Sequence, residues 1–172
     1  MRCSYTYSVL LTLAGLLLAS PTRAQSPEAN KEIVLRMTEA IDERDFAALD
    51  DLVSEGIVRH SAATPGVVVS NLEEFKAFLH QDLAAVPDAQ QELHLILAEN
   101  DFVAIRAIYH GTQTGPIGPF GPSGKPLELP FLGILQPEDG KIAEICVEWD
   151  NLNALTQLGH FPPTEGDPEE MD

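Results

Sequence analysis

The segment from residue 139 to residue 150 constrains the fold more than any other part of the chain. It begins with an Asp-Gly pair, which is typical of a hairpin turn, and continues as apolar and β-branched residues that alternate with polar ones. Side chains in a strand point to its two faces in turn. One face would therefore consist of Ile142, Glu144, Cys146, Glu148 and Asp150, three of which are carboxylates. The other face would be apolar, with Ala143, Ile145, Val147 and Trp149.

Two interpretations of the carboxylate face remain open at this point. The carboxylates could line a polar cavity, where their mutual repulsion raises a pKa into the range that is useful for proton transfer. Alternatively, this face simply meets water. The opposite face carries Ile145, Val147 and Trp149, and so apolar a surface is expected to be covered. We therefore predict a homodimer formed through the outer face of the sheet.

The spacing of apolar residues changes along the chain. Before residue 90 it fits helices: a stripe of Ile33, Met37, Ala40 and Ile41, a short helix over 46–53 ending at Gly56, and a helix from Asn71 to Pro87. After residue 90 the period is two, which predicts successive strands, and Pro130 predicts an edge position or a bulge in one of them. Helices followed by a strand meander predict an α+β fold with helices covering one face of a curved sheet.

The two ends of the chain differ from its middle. Residues 1–24 carry a basic Arg2, an apolar run over 9–19 and a final Thr22-Arg23-Ala24, which predicts a signal peptide cleaved after Ala24 and a periplasmic or secreted protein. Residues 25–161 form the predicted domain. The acidic residues 162–172 are predicted to be disordered.

Charge excludes two classes of partner. The formal net charge is −17, and removal of residues 1–24, which hold two basic and no acidic residues, would leave −19. A field of this sign opposes nucleic acid and anionic lipid, and no later segment resembles a membrane helix, so we expect neither nucleic acid nor a membrane as partner. Cys146 would be the one remaining cysteine, which excludes an intrachain disulfide.

Several motifs occur together in a family-specific order. They are Gly111-Thr112-Gln113-Thr114-Gly115, a Gly-Pro-rich stretch ending at Gly124-Lys125, Asp139-Gly140-Lys141-Ile142 with Glu144, and Trp149-Asp150 with Gln157-Leu158-Gly159. Over about residues 30–159 the set resembles the SnoaL-like polyketide cyclases, also called ester cyclases. The resemblance implies the fold of nuclear transport factor 2, a cone-shaped curved antiparallel sheet with N-terminal helices packed on its concave face.

The resemblance also implies a chemistry. An aspartate of the last strand acts as acid/base in an intramolecular aldol ring closure, without metal or cofactor, and the matching residue is Asp150. The interpretation independent of the resemblance is that Asp150 caps the helix that follows it. This chain has Gln113 where the family motif has histidine, and its strand over 127–136 contains no histidine.

The remaining candidate residues complete the predicted site. His60 ends a short strand and is the second candidate catalytic residue. Tyr109 and Gln113 share a strand face, and Tyr109 either donates a hydrogen bond to an enolate oxygen or is a core tyrosine with a solvated hydroxyl. The candidate substrate-binding residues are Tyr109, Gln113, Glu144 and Glu148. His60 with these two glutamates has the right ligand types for a metal, but without a spacing motif we expect none.

Two functions are compatible with these residues. The first is a cofactor-free cyclase, lyase or isomerase that uses Asp150 on a small apolar carbonyl compound. The second is a non-catalytic periplasmic protein of the same fold that binds a small apolar ligand or serves as a dimeric module. The carboxylates of the last strand favour the first function, and the missing histidines favour the second.

Overall fold

The computed structural model describes residues 26–161, so the predicted signal peptide and acidic tail lie outside the described residues. The helices are α1 (Pro27–Asp42), α2 (Leu49–Leu52), α3 (Leu72–Ala85) and α4 (Asn151–Leu158). The strands are β1 (Val53–His60), β2 (Gln90–Glu99), β3 (Phe102–Thr112), β4 (Pro126–Glu138) and β5 (Lys141–Trp149). This arrangement confirms the predicted α+β class.

The strands form one five-stranded sheet in the order β1-β5-β4-β3-β2. Strands β2 to β5 are joined by antiparallel pairings, as predicted. The pairing of β1 with β5 is parallel, so the prediction of a fully antiparallel sheet is wrong at this edge. The physical reason is that β1 reaches β5 after a long excursion of the chain, and no hairpin turn fixes their relative direction.

The first three helices cover the concave face of the sheet and form the main core with it. The apolar side of β5 belongs to this core, because Ile145 is only 7% exposed and Val147 packs against the same cluster. The prediction that Ile145, Val147 and Trp149 form an outer surface is therefore wrong. Their apolar partner is the helical layer of the same chain.

Helix boundaries follow the sequence signals in one case and depart from them in another. The side chain of Asn71 accepts a hydrogen bond from the Glu74 backbone N–H at 2.9 Å, which confirms the predicted start of α3. The short helix ends earlier than predicted, since the chain is already a strand from Val53 and continues through Gly56. Val53 and Ile57 are fully buried, so their packing outweighs the local signal.

Candidate functional site

Asp150 lies at the N-terminus of α4, as the capping interpretation predicts. Its side chain accepts a hydrogen bond from the Asn153 backbone N–H at 3.0 Å, and the residue is exposed. A carboxylate in this position satisfies a free N–H group of the first helical turn and benefits from the helix dipole. The cap is confirmed, and the catalytic role of Asp150 stays a prediction.

His60 and Glu144 are neighbours on the outer face of the sheet, opposite the helices. His60 Nε2 lies 3.1 Å from Glu144 Oε1, and the two side chains are 56% and 45% exposed. Water screens such a pair, so it is suited to a surface contact more than to a dehydrated reaction site. Of the predicted site residues, the structure brings these two into direct contact.

Glu148 holds a loop against the end of β5. Its Oε1 and Oε2 atoms accept hydrogen bonds from the backbone N–H groups of Ala62 and Ala63, at 2.7 and 3.1 Å. Asn151 adds a bond from its Nδ2 to the Ala63 carbonyl at 2.6 Å. The loop over residues 61–64, which follows β1, is thereby fixed beside Trp149.

Gln113 is fully buried and organises residues 115–124, which we call the Gly-Pro loop. Its Nε2 donates to the carbonyls of Gly115 and Gly121, both at 3.0 Å, and its Oε1 accepts from the Ser123 N–H at 3.2 Å. His160 Nε2 lies 3.0 Å from the same oxygen. All these partners belong to the protein itself, so Gln113 positions the loop.

The remaining predicted residue, Tyr109, lies on the inner side of the sheet in a group that we call the inner cluster. Its members come from β1, α3, β3 and β5 and are Arg59, Phe78, Asp82, Tyr109 and Trp149. Strand alternation places Arg59 on the same inward side of β1 as the buried Ile57. The four-residue spacing of Phe78 and Asp82 places both on one face of α3.

The centre of the inner cluster is a carboxyl–phenol pair. Tyr109 Oη donates a hydrogen bond to Asp82 Oδ2 at 3.0 Å. Burial raises the pKa of Asp82 and outweighs the opposing effects of this hydrogen bond and of Arg44 and Arg59. Burial, followed by the charge of Asp82, raises the pKa of Tyr109 as well, so the phenol stays protonated and acts as a donor. A carboxyl group in such surroundings is suited to proton transfer.

Arg59 supplies a buried positive charge to the inner cluster. The residue is 7% exposed, and its Nη1 donates to Thr64 Oγ1 at 3.0 Å. The guanidinium carbon lies 4.2 Å from the centre of the Phe78 ring and 5.8 Å from that of Trp149. Burial lowers the pKa of Arg59, and the charges of Glu148 and Asp82 act in the opposite direction. Aromatic faces stabilise a cation that has lost part of its hydration.

The phenol side of the pair has apolar surroundings. Tyr109 and Trp149 pack with Ile117 of the Gly-Pro loop against a small cluster from β4 and α4, made of Leu127, Leu129, Ala154 and Leu158. The first residues of the loop are fixed to the end of α3, because the N–H groups of Thr114 and Gly115 both donate to the Ala85 carbonyl at 2.9 Å. Gly115 permits this approach, since a Cβ there would lie 2.1 Å from the Ala84 carbonyl oxygen. The phenol of Tyr109 therefore lies against an apolar wall formed by β4, α4 and the Gly-Pro loop.

Asp82 and Arg59 are not among the residues predicted from the sequence, although the local pattern contains a signal for each. Asp82 continues the apolar stripe of α3 that contains Phe75, Phe78 and Leu79, and a carboxylate on such a stripe is unusual. Arg59 lies two residues after Ile57 and therefore on the same inward side of β1, where burial of a charge is energetically costly. Both are charged residues in positions that the local pattern assigns to the core.

The described part of the chain has other depressions, but no group of metal ligands and no helix that could span a membrane. Two open depressions of about 500 and 450 Å³ lie away from the inner cluster, the first between β3, β4 and α4 and the second beside α1. Within residues 26–161, no three His, Cys, Asp or Glu side chains are grouped so that they could hold a metal ion. None of the helices between residues 26 and 161 is long and apolar enough to cross a membrane.

Solved structures of several bacterial proteins share this fold. IdmH of Streptomyces antibioticus, a candidate polyketide cyclase, is 25% identical with a TM-score of 0.66, and the match covers 76% of this chain and 98% of IdmH. AclR of Streptomyces galilaeus, a candidate hydroxylase, is 28% identical with a TM-score of 0.69, covering 80% of this chain and all of AclR.

An LEH-like epoxide hydrolase of M. tuberculosis is 13% identical with a TM-score of 0.63, covering 78% of this chain and 92% of its own, and shares the fold alone. No curated protein sequence matches the chain significantly. The model of the SnoaL-like polyketide cyclases matches residues 31–158, which is most of the described domain and includes every member of the inner cluster. The chain therefore belongs to the SnoaL-like polyketide cyclase family.

Proposed function

We propose that this protein is a cofactor-independent enzyme that moves a proton at the carbon next to a carbonyl group of a small apolar compound, with Asp82 as the acid/base. The observation that carries the proposal is the half-buried Asp82, which accepts a hydrogen bond from Tyr109 and has a pKa raised by burial, next to the apolar cluster against which Tyr109 packs. A raised pKa makes its carboxylate a stronger base than a hydrated aspartate, which is what removal of a C–H proton requires.

The reaction can be written with Asp82 as the only proton carrier. The carboxylate takes the α-proton, the C–H electron pair becomes the enolate, and Asp82 is left protonated. In an isomerisation the same proton returns to another carbon of the enolate. In a ring closure the enolate carbon attacks a second carbonyl of the same molecule, a C–C bond forms, and the resulting alkoxide takes the proton from Asp82. Either outcome restores the carboxylate.

The predicted catalysis by Asp150 is a competing assignment within the same function. Asp150 is exposed and its carboxylate already accepts a bond from the Asn153 N–H. A solvated carboxylate that already caps a helix is poorly placed to take a proton from the carbon of an apolar compound. The geometry therefore favours Asp82, and His60, paired with Glu144 on the outer face, has no part in the proposed reaction.

Deuterium exchange into 2-tetralone, a small apolar ketone, tests the proposal. Wild-type protein in D2O should accelerate loss of the α-proton signal in the NMR spectrum. Asp82→Asn keeps the shape and the hydrogen bond from Tyr109 but removes the base, so we expect a loss of about 100-fold or more. The matched control is Asp88→Asn, since Asp88 bonds the N–H and hydroxyl of Thr112 at the surface and should be dispensable.

A titration of the protein with 2-tetralone, combined with the exchange measurement, separates the two functions that the sequence left open. Trp149 is the only tryptophan of the chain and lies in the inner cluster, so its fluorescence should report ketone binding. Binding with exchange supports the enzyme. Binding without exchange in wild-type protein would refute the enzyme and favour the non-catalytic ligand-binding module.

The outer face of the sheet is the basis of a second part of the proposal, a homodimer. It carries exposed apolar side chains on four strands, which are Val58, Leu95, Leu97, Phe102, Leu132 and Ile134. Ala104 of β3 pairs with Leu97 on one side and with Ile134 on the other, which makes an apolar row across three strands, whereas Leu132 and Leu95 flank Arg106. Exposed apolar side chains on four strands favour association of two copies. These residues replace the three of β5 that the sequence suggested.

Light scattering of single variants tests this dimer. Wild-type protein should have about twice the monomer mass, and Leu132→Glu should give a monomer because a second carboxylate beside Glu148 on this face cannot be buried cheaply. The control is Leu35→Glu, at an exposed leucine on α1 away from the sheet face. A monomeric wild type, or a dimer that survives Leu132→Glu, would refute the interface.

Export is the third part of the proposal. The pattern of residues 1–24 supports removal after Ala24 and a periplasmic or secreted location. Mass spectrometry of the periplasmic and secreted fractions should find a chain that starts at Gln25. Recovery of an intact chain with Met1 from the cytoplasm would refute it.

A further inference from the structure

Arg59 is a buried cation without an ion-pair partner among the described residues. The chain has 27 acidic side chains, yet within residues 26–161 none of them has an oxygen within 4 Å of this guanidinium. Its one side-chain hydrogen bond in that part of the chain goes to Thr64. A guanidinium has five N–H donors, and no nitrogen of Arg59 is among the buried polar atoms of residues 26–161 that lack a partner, so its other donors are open to solvent or to a bound molecule. A cation held by aromatic faces and a single hydrogen bond can donate to an oxygen that binds beside it.

We infer that Arg59 binds the oxygen of the substrate as negative charge develops on it, and that it restricts the enzyme to neutral, planar carbonyl compounds. The inference rests on the proposed function, because the negative charge arises when Asp82 removes the proton. Arg59 shares the inner cluster with Asp82, and the charge of each affects the pKa of the other. A preorganised cation at a developing oxyanion is an effective form of catalysis.

Charge balance within the inner cluster explains why the substrate should be neutral. Before reaction, the site holds the positive Arg59 and the negative Asp82. After proton transfer, Asp82 is neutral and the enolate oxygen carries the negative charge, so the sum is unchanged. An anionic substrate would instead add an uncompensated negative charge near Asp82 and Glu148, in a chain of formal net charge −17.

The aromatic members of the cluster explain the preference for a planar compound. The guanidinium lies against Phe78 and near Trp149, at 4.2 and 5.8 Å from their ring centres. These faces, together with the bond to Thr64, hold Arg59 in one orientation before substrate arrives. The ring of a flat substrate can stack on a neighbouring aromatic face while its oxygen meets the guanidinium.

The test uses 2-naphthol, which has the carbon skeleton of the enol of 2-tetralone and changes its absorbance on ionisation. The protein is Asp82→Asn, whose neutral side chain reproduces the state after proton transfer. In this variant Arg59 should favour bound naphtholate over naphthol, raising their ratio at least tenfold above that in water at the same pH. Arg59→Met in the same background keeps the apolar stem between the rings and should abolish the increase.

Each result bears on the inference. A tenfold or larger increase that disappears with Arg59→Met, and with Arg59→Gln as a polar replacement, supports it. An increase that persists in both variants overturns the role of Arg59, even where exchange still depends on Asp82. Failure of Asp82→Asn to bind 2-naphthol at millimolar concentration overturns the proposed substrate class, as would tighter binding of the anion 2-naphthoate than of 2-naphthol to wild-type protein.

Discussion

Removal of the Gln113 side chain should destabilise the protein strongly, because its amide is the organising centre of the Gly-Pro loop. Gln113→Ala deletes two donated bonds at 3.0 Å, one accepted bond at 3.2 Å and the contact with His160 Nε2 at 3.0 Å. The side chain is fully buried, so water cannot replace it without repacking. At roughly 1 kcal/mol for each net hydrogen bond, the loss is about 3–4 kcal/mol, before any cost of the cavity.

Urea denaturation of paired variants measures this loss. The matched control is Gln157→Ala, because the Gln157 amide also makes several bonds, at 2.9 Å to the N–H and carbonyl of Glu128 and at 3.1 Å to Asn153 Oδ1, but from a half-buried residue whose bonds are open to solvent. We expect the control to lose no more than about 1 kcal/mol of unfolding free energy, since water takes over its bonds. Equal losses for the two variants would refute the structural role of Gln113 and leave its predicted part in substrate binding as the simpler account.

Three further predictions follow from the site. Asp82→Asn should raise the melting temperature relative to wild type more at pH 7 than at pH 4. Burial raises the pKa of Asp82 in the folded state, so the protonated carboxyl stabilises the fold at low pH, and this stabilisation is lost as the pH rises through that pKa. An equal difference in melting temperature between variant and wild type at both pH values would contradict the prediction. His60→Ala should change the unfolding free energy by less than about 1 kcal/mol and leave exchange into 2-tetralone intact, whereas lost exchange would restore its catalytic role. Asp150→Ala should cost about 1 kcal/mol through its cap, and an unchanged urea midpoint would refute that cap.

Local chemistry made the helix ends predictable from sequence. The side chains of Asn71 and Asp150 cap helices by accepting a backbone N–H, and Gly159 ends α4 with a positive φ of 77°, which is favourable for a residue without a Cβ. Pro130 is an instructive mixed case. Its strand β4 is central in the sheet, but the pairing with β5 ends at Phe131 and Trp149, so at Pro130 the strand has a neighbour on one side only.

Tertiary packing decided the features that the sequence did not reveal. The alternation of side chains along β5 places Ile145 and Glu144 on opposite faces, but it does not determine which face the helices cover. The parallel pairing of β1 with β5 depends on where the chain returns after four other elements. The inner cluster joins Arg59, Asp82 and Tyr109 from three elements that are distant in sequence, so no spacing motif predicts it.

The central claim is that proton transfer belongs to Asp82 in the inner cluster and not to the exposed cap Asp150. Rates of deuterium exchange into 2-tetralone, measured side by side for wild-type, Asp82→Asn and Asp150→Asn protein, test it most directly. Both substitutions preserve shape and hydrogen-bonding capacity, so each removes mainly a base. We predict a loss of about 100-fold or more for Asp82→Asn and a rate within about threefold of wild type for Asp150→Asn. The reverse pattern, with Asp82→Asn active and Asp150→Asn inactive, would contradict the account.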